Sequence, residues 1–497
     1  MRQYLRRIFA CLTLCALLVG NVPAAAANYY ADVPGDFWAA EDIRSCVRQG
    51  YFFLESGNFG VGKEMTRAEF AVVLCRFFGW KAVIPSRVIY EDVPTNVWYA
   101  GAIETAYRKG VITSQRADFR PGEPITRSEA AAMLIRALGY GTIAGLTQDM
   151  SLPFEDVDSN VGYIAMVYGL GLMDGTSANT FSPDGTVTRE QMAVILMRMY
   201  DKLNDTEMGR AGIATSAKDL ANLSGYDAVA VPASYLVYNG SPRLASSMDD
   251  EEVEAIRAAA KAAGAKLLLH VEGGPYQLRE NGEELAAVLL QGVRDGNYDG
   301  LYLNIAGLTS NTQRKELTAT AELLRKELDR KLLYIEVEAP AWKGKISGYD
   351  YAALGEVADR LVLRVNYAAG TAGDIPTAPQ EPLEEVYYVF NRLRGLVDVS
   401  KLSLLTSATG AVWNNGTNEG AMKGTEIAAL LEEGGVESHY SSRYASAYLE
   451  TEQSVLVWYL NGQSIEERVR LARFFGVGHL CLSELSGVLP DVLEAMP

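Results

Sequence analysis

A tetrapeptide that returns at a near-constant interval limits this chain more than any other feature in it. Thr66-Arg67-Ala68-Glu69, Thr126-Arg127-Ser128-Glu129 and Thr188-Arg189-Glu190-Gln191 lie 60 and then 62 residues apart. Each opens an apolar run: Phe70 to Phe78, Ala130 to Leu138, and Met192 to Met199. Self-similarity at such a period means repeated supersecondary units that share a core. The chemistry of the tetrapeptide is a capping box. Thr accepts from the first amides of a helix, and Glu or Gln three residues on reaches back to the cap amide. Ten residues after each Thr comes an arginine: Arg76, Arg136 and Arg198.

Upstream of each box stand an Asp-Val pair (Asp32-Val33, Asp92-Val93, Asp156-Val157), a second helical stretch, and a loop such as Phe119-Arg120-Pro121-Gly122 or Phe181-Ser182-Pro183-Asp184-Gly185. Capping explains Thr and Glu but not the arginine between them. A cation at the positive end of a helix is disfavoured, yet Arg67, Arg127 and Arg189 all occupy that place. Two readings stay open. One is a solvated surface charge; the other is an anion site where helix amides and a guanidinium converge on a carboxylate.

These residues resemble the S-layer homology domain, in three tandem copies over roughly 28–214. The resemblance implies a three-pronged helical assembly that binds secondary cell-wall polysaccharide non-covalently, often through pyruvyl groups. It implies Arg67, Arg127 and Arg189 as ligands, with Trp38 and Trp98 as the matching aromatics. A pyruvate ketal carries a carboxylate, which suits the arginines. Counting from Asp156 puts Gly162 where Trp98 stands in the second repeat, and the first repeat's loop, Asn58-Phe59-Gly60-Val61-Gly62, lacks the proline of the others.

Ahead of the repeats, Arg2, Arg6 and Arg7 precede an apolar run from Ile8 to Val19, and Ala25-Ala26-Ala27 offers a cleavage site. This reads as a secretory signal peptide over 1–27, too short to span a bilayer. Leu14 before Cys15 argues against a lipoprotein cysteine. The net charge of −17 becomes −20 once the three leader arginines are removed. Such an acidic chain has no electrostatic footprint for nucleic acid, and no transmembrane segment is expected in the mature chain. Cys46, Cys75 and Cys481 give no disulfide framework. Cys46 and Cys75 are either a pair or two small core hydrophobes. His270, His439 and His479 are scattered without metal-ligand spacing, so neither metal nor cofactor is expected.

Past Tyr200-Asp201-Lys202-Leu203 the pattern turns to alternating strands and helices. Strands are predicted at 210–215, 227–237, 265–271, 299–306, 331–338, 360–367, 401–408 and 477–483. Helices are predicted at 249–263, 282–295, 310–329, 382–394 and 464–475. Continuous apolar runs such as Lys266 to Val271 indicate strands buried on both faces. Eight such strands with helical crossovers predict a (β/α)8 TIM barrel. An insertion over about 412–459 precedes the last strand and ends in a strand at Val455 to Tyr459, beside the barrel mouth. The predicted organisation is a signal peptide (1–27), three helical repeats in an all-α module (28–87, 88–151, 152–214) and the barrel (215–497).

In a parallel barrel the chemistry sits at the C-terminal strand ends. The run Tyr298-Asp299-Gly300-Leu301-Tyr302-Leu303-Asn304-Ile305-Ala306 puts Leu301, Leu303 and Ile305 on one face, with Asn304 and Ala306 on the other. Neither an amide nor a methyl group exchanges a proton at neutral pH. Several segments resemble glycoside hydrolase family 18 and its branch of spore-cortex and cell-wall hydrolases. They are Tyr349 through Asp359, Ser464 through Phe475 with Gly476, and Asp299-Gly300. The resemblance covers essentially 210–497.

The family's acid motif, Asp-Gly-x-Asp-x-Asp-x-Glu, places its proton-donating Glu at Ala306 and its orienting Asp at Asn304. The family mechanism uses the substrate's own N-acetyl group as nucleophile, so donor and orienter are lost together. General acid catalysis alone is worth ~10²–10⁴-fold. The family's Met-x-Tyr-Asp reads Arg364-Val365-Asn366-Tyr367, and its sugar-stacking Trp falls at Ser483. The expectation is a pseudoenzyme that binds peptidoglycan or another N-acetylated glycan, or serves as a structural block. The rival is a hydrolase using relocated carboxylates, with Glu336, Glu338 and Glu484 (and Glu272 beside them) as candidates; two acids about 5–10 Å apart suffice. Alternatively these acids pair with Arg364 or Lys343, since an inward arginine needs a partner. Trp342, Trp413 and Trp458 either line a sugar groove or pack.

Overall fold

The computed structural model describes residues 30–497, apart from 86–87, 114–116, 205–207, 279–281, 341–347, 366–376, 434–435 and 452–454. The expected leader over 1–27 lies outside the described residues. The chain divides into two compact units, up to Asp201 and from Lys202 onward.

In the first unit each repeat is a helix pair. The first helices are Ala40–Arg48, Ala100–Arg108 and Val161–Gly169; the second are Arg67–Phe77, Arg127–Ala137 and Arg189–Asn204. The second helices start where the tetrapeptides predict. Thr66 and Thr126 accept from the amides of Glu69 and Glu129, whose carboxylates return to the cap amides at 2.8 and 3.1 Å. The third box is one-sided. Gln191 accepts from the Thr188 amide at 3.1 Å, while the Thr188 hydroxyl finds no partner among the described residues.

Helices alone do not hold the repeats together. The extended residue just before each box bonds to its counterparts: Met65 N to Val187 O (2.9 Å), Ile125 N to Met65 O (2.9 Å) and Val187 N to Ile125 O (3.2 Å). Three extended segments therefore close a ring, and the module is not purely helical. Cys46 and Cys75 are free thiols buried in it.

In the second unit eight parallel strands close on themselves: β1 (Gly209–Ile213), β2 (Ala228–Tyr238), β4 (Lys266–Gly273), β5 (Gly300–Ile305), β6 (Leu332–Glu338), β7 (Arg360–Arg364), β8 (Leu402–Thr406) and β14 (His479–Leu482). The order is β1-β14-β8-β7-β6-β5-β4-β2, and β1 pairs with β2 to complete the barrel. Because β1 begins at Gly209, the barrel starts ahead of the expected limit at 214/215. The unpredicted strand β3 (Pro242–Ser246) folds back antiparallel on β2.

Alternation along the strands sends Ala211, Ala230, Leu268, Tyr302, Tyr334, Val362, Leu405 and Cys481 into the barrel. An aspartate just ahead of a strand ties three of the joints. Asp227, Asp299 and Asp359 accept from the amides of Arg210, Leu267 and Leu333 at 3.2, 2.9 and 2.7 Å. Gly300 follows one of them for steric reasons, since a Cβ there would lie 2.2 Å from the Leu332 carbonyl oxygen.

The insertion before the last strand forms its own antiparallel sheet. Its strands are β9 (Gly410–Asn414), β10 (Thr417–Met422), β11 (Ser438–Ser441), β12 (Ser446–Glu450) and β13 (Val455–Tyr459), in the order β10-β9-β13-β12-β11. Sequence reading found only the strand now called β13. β10 and β11 are largely exposed and carry no apolar signature, whereas β9 and β12 are mostly buried and, at five residues each, as long as β13.

Candidate functional site

The three tetrapeptide arginines do one thing in common. Arg67 donates from Nε to the carbonyl of Phe119 (2.8 Å), Arg127 to that of Phe181 (2.9 Å) and Arg189 to that of Phe59 (2.7 Å). Each repeat thus grips the loop of the next, and the third returns to the first. The guanidinium also lies over the same phenylalanine ring, 4.6–5.1 Å from its centroid. The loop itself is held by the Asp-Val aspartate. Asp32 accepts from the amides of Phe59, Gly60 and Val61, Asp92 from Phe119 and Arg120, and Asp156 from Phe181 and Ser182. Burial pushes the Asp32 carboxyl up, but those three amides outweigh it and hold it below the usual carboxylate range.

The arginines differ in charge balance. Arg67 pairs with Glu129, and Arg189 lies 3.5 Å from Glu69. The residue equivalent to these glutamates in the third box is Gln191. Arg127 donates instead to the carbonyl of Asp174 at 2.6 Å, and among the described residues it has no carboxylate in ion-pair range. Arg67 also borders a cavity of about 260 Å³ with Arg120, Arg136, Asp118, Glu129 and Asn160. Trp38 and Trp98 stand out at 63% and 67% exposure.

Gly162 is not the counterpart of Trp98. It sits inside the helix Val161–Gly169, where a Cβ would lie 1.9 Å from the Ala144 carbonyl oxygen; Gly101 meets Val83 in the same way at 2.4 Å. Counted back from the glycines that end the first helices (Gly50, Gly110 and Gly171), the tryptophan position in the third repeat is Ser159. The third repeat is three residues shorter here, which misled the count from Asp156.

At the barrel mouth, β5 ends between two acids. Asn304 lies in register with Glu272 on β4 and Glu336 on β6, and the Ala306 amide donates to the Gly273 carbonyl at 3.0 Å. Glu336 is 1% exposed and accepts from the Tyr302 hydroxyl at 2.7 Å and from Nε of Arg364. Burial, reinforced by Glu336, pushes the Tyr302 phenol far up, so it remains a donor. The inward arginine has found its carboxylate. Glu338 reaches back to the Gly307 amide at 3.3 Å, just past Ala306.

Glu484 caps its own loop, accepting from the amides of Leu485 (2.9 Å) and Ser486 (2.7 Å) and from the Thr215 hydroxyl. Ser483 accepts from the Ala408 amide at 3.1 Å. Trp413 and Trp458 are buried in the insertion's aromatic cluster. Trp342, Lys343, Asn366 and Tyr367 lie outside the described residues.

The mouth opens on a cavity of about 530 Å³ whose lining includes His270, Glu272, Arg364, Glu381, Ser407 and Glu484. Sequence reading missed Glu381, which sits between Gln380 and Pro382 in a connecting segment with no periodic signal. Burial raises its carboxyl to about 7 against the opposing pull of Arg468 and the Ser407 amide. Arg468, fully buried, lies 3.5 Å from it. His270 is 2% exposed and packs edge-on against Tyr302; burial, then Arg364, lowers it to about 3. Among the described residues no cluster of His, Cys, Asp and Glu is placed to hold a metal ion, and no helix is long and apolar enough to cross a membrane.

Comparison with known proteins agrees with this division. Residues 89–131 and 153–193 match the S-layer homology domain. The chain is 34% identical over 146 residues to an amylopullulanase of Thermoanaerobacterium thermosulfurigenes, covering 28% of this chain and 8% of that protein. It is 29% identical over 230 residues to an endoglucanase of Bacillus sp. (strain KSM-635), covering 41% and 24%. It is 28% identical over 211 residues to an S-layer protein of Bacillus thuringiensis subsp. finitimus, covering 41% and 25%. The chain thus spans a quarter or less of each of these relatives.

Among solved structures, a class V chitinase of Pseudomonas fluorescens Pf-5 superposes with a TM-score of 0.50 at 16% identity, over 58% of this chain and 98% of that one. At that identity the likeness shows the fold alone. The chain therefore carries S-layer homology domains in its first unit, followed by a (β/α)8 barrel with the fold of a class V chitinase.

Proposed function

We propose that this is a cell-surface, S-layer-associated protein that the S-layer homology repeats hold non-covalently on an anionic wall polysaccharide, and that its barrel binds glycan without cleaving it. One observation carries the second half of this reading. At the end of β5 the side chains are those of Asn304 and Ala306, and the nearby Glu336 is already engaged by Tyr302 and Arg364. Neither strand-end side chain can protonate a leaving oxygen, the step an acid must perform in glycoside hydrolysis.

For the anchor, the support is Arg127, which Asp174 and Asp156 attract only beyond ion-pair range, together with two exposed indoles. Arg127 carries a charge that no box glutamate offsets, and the exposed rings of Trp38 and Trp98 suit stacking on sugar faces. An acetal carboxylate such as a pyruvate ketal is the ligand chemistry that such an arginine recognises.

A second reading has one observation in its favour. The Glu338 carboxylate reaches the Gly307 amide, next to the vacant acid position, so a relocated acid would act from there. The deciding experiment is reducing-end release by the full chain from purified peptidoglycan and from N-acetylglucosamine oligomers. The non-hydrolytic reading expects retention on the glycan with no product. Turnover that Glu338→Gln abolishes would replace it with the hydrolase.

A further inference from the structure

Glu272 faces the mouth cavity with no charged cation in ion-pair range among the described residues, and we propose that the cavity takes a saccharide with a free ammonium group, a hexosamine unit lacking its N-acetyl cap. This rests on reading the barrel as a glycan-binding module. Glu272, Glu381 and Glu484 all line the cavity, and Arg364 is the one Lys or Arg among its described lining residues. That arginine is already matched by Glu336 behind it, and Glu381 by Arg468. Glu484 has its own loop amides. Glu272 is left facing the cavity with a side chain 60% exposed; His270 lies 3.7 Å away, and Arg364 attracts Glu272 only beyond ion-pair range while it is paired with Glu336.

That histidine does not balance it. Its pKa of about 3 leaves the ring neutral. Both ring nitrogens lack a hydrogen-bond partner among the described residues, although the residue is 2% exposed and lines the cavity. A buried donor or acceptor left unmet is unfavourable, and a ligand atom entering the cavity relieves it. The acids are too dispersed for one metal ion, since no such cluster occurs among the described residues. An organic cation spreads its contacts as the site requires, with the ammonium on Glu272 and hydroxyls toward Ser407, Thr409 and Ser483. A sugar carboxylate would enter against the excess negative charge.

The test is calorimetric titration of the full chain with three tetramers in mildly acidic buffer: glucosamine, N-acetylglucosamine and galacturonate. The glucosamine tetramer should bind about tenfold or more tighter than the acetylated one, and added salt should erode that margin. Glu272→Gln should abolish the preference, bringing the affinities of the glucosamine and acetylated tetramers to within about twofold of each other. Equal or tighter binding of the acetylated or the anionic tetramer overturns this inference alone, as does a preference that survives Glu272→Gln. Failure of all three to bind overturns it together with the glycan-binding reading.

Discussion

Arg189 donates to the carbonyl oxygen of Phe59 at 2.7 Å across 130 residues of chain, and with that bond the third repeat closes onto the first. A second donation, to the Phe53 carbonyl at 3.1 Å, and Glu69 at 3.5 Å complete its surroundings. The residue is 6% exposed. Removing one partner from such a buried set strands the others. Arg189→Ala should therefore destabilise the repeat unit by about 3–5 kcal/mol. Arg127→Ala, at a more exposed site, should cost about 1 kcal/mol. Urea denaturation of both variants measures the contrast, and equal losses would contradict it.

Gln191 stands where the other two boxes have glutamate. Gln191→Glu should supply the missing carboxylate for Arg127 and add roughly 0.5 kcal/mol of stability. It should also weaken retention on purified wall polysaccharide, by about tenfold if Arg127 is the main anion contact. Unchanged retention would remove Arg127 from the binding surface.

Restoring the acid should be informative whichever way it falls. Asn304→Asp with Ala306→Glu rebuilds donor and orienter at the end of β5. If the cleft is intact, this variant should release reducing ends where the parent chain releases none. A silent double variant would mean that Arg364 obstructs the cleft, or that with Ser483 in the stacking position productive sugars are not held there.

His270 and His479 are both buried, and burial lowers both to about 3, with Arg364 and Arg360 adding to the effect. Their folded pKa values lie below the unfolded value near 6.5, so the unfolded chain binds more protons between those limits. Stability is thus full above about pH 6.5 and is lost as pH falls toward 3, on the order of 2–4 kcal/mol per histidine. Replacing both with Asn should flatten the fall in melting temperature between about pH 6.5 and 4. An unchanged slope would assign the acid sensitivity to other groups.

Gly300→Ala should cost about 3 kcal/mol, because its Cβ would meet Leu332 backbone rather than a side chain that can move away. Thermal unfolding monitored by near-ultraviolet circular dichroism would report it. A neutral result would mean that β5 and β6 can separate locally.

The sequence by itself determined the architecture. The capping boxes, the period near 60 residues and the eight apolar strand runs are local signals; the helix starts and the barrel strands followed from them, while the third box closed on one side only. Strand alternation also puts Asn304 on the inward face it shares with Tyr302; that a glycosidase's acids would stand at Asn304 and Ala306 is what the family resemblance implies. Three things were decided only in the folded chain. The tetrapeptide arginines looked like anion ligands or surface charges, yet each spends its Nε on a carbonyl in the next repeat, a contact 52 to 130 residues away. The exposed strands β10 and β11 of the insertion gain their pairing from β9 and β12 rather than from their own composition. Glu381 and His270 acquired their unusual pKa values through burial against Arg468 and Tyr302. Desolvation is a property of position in three dimensions, and no window of sequence carries it.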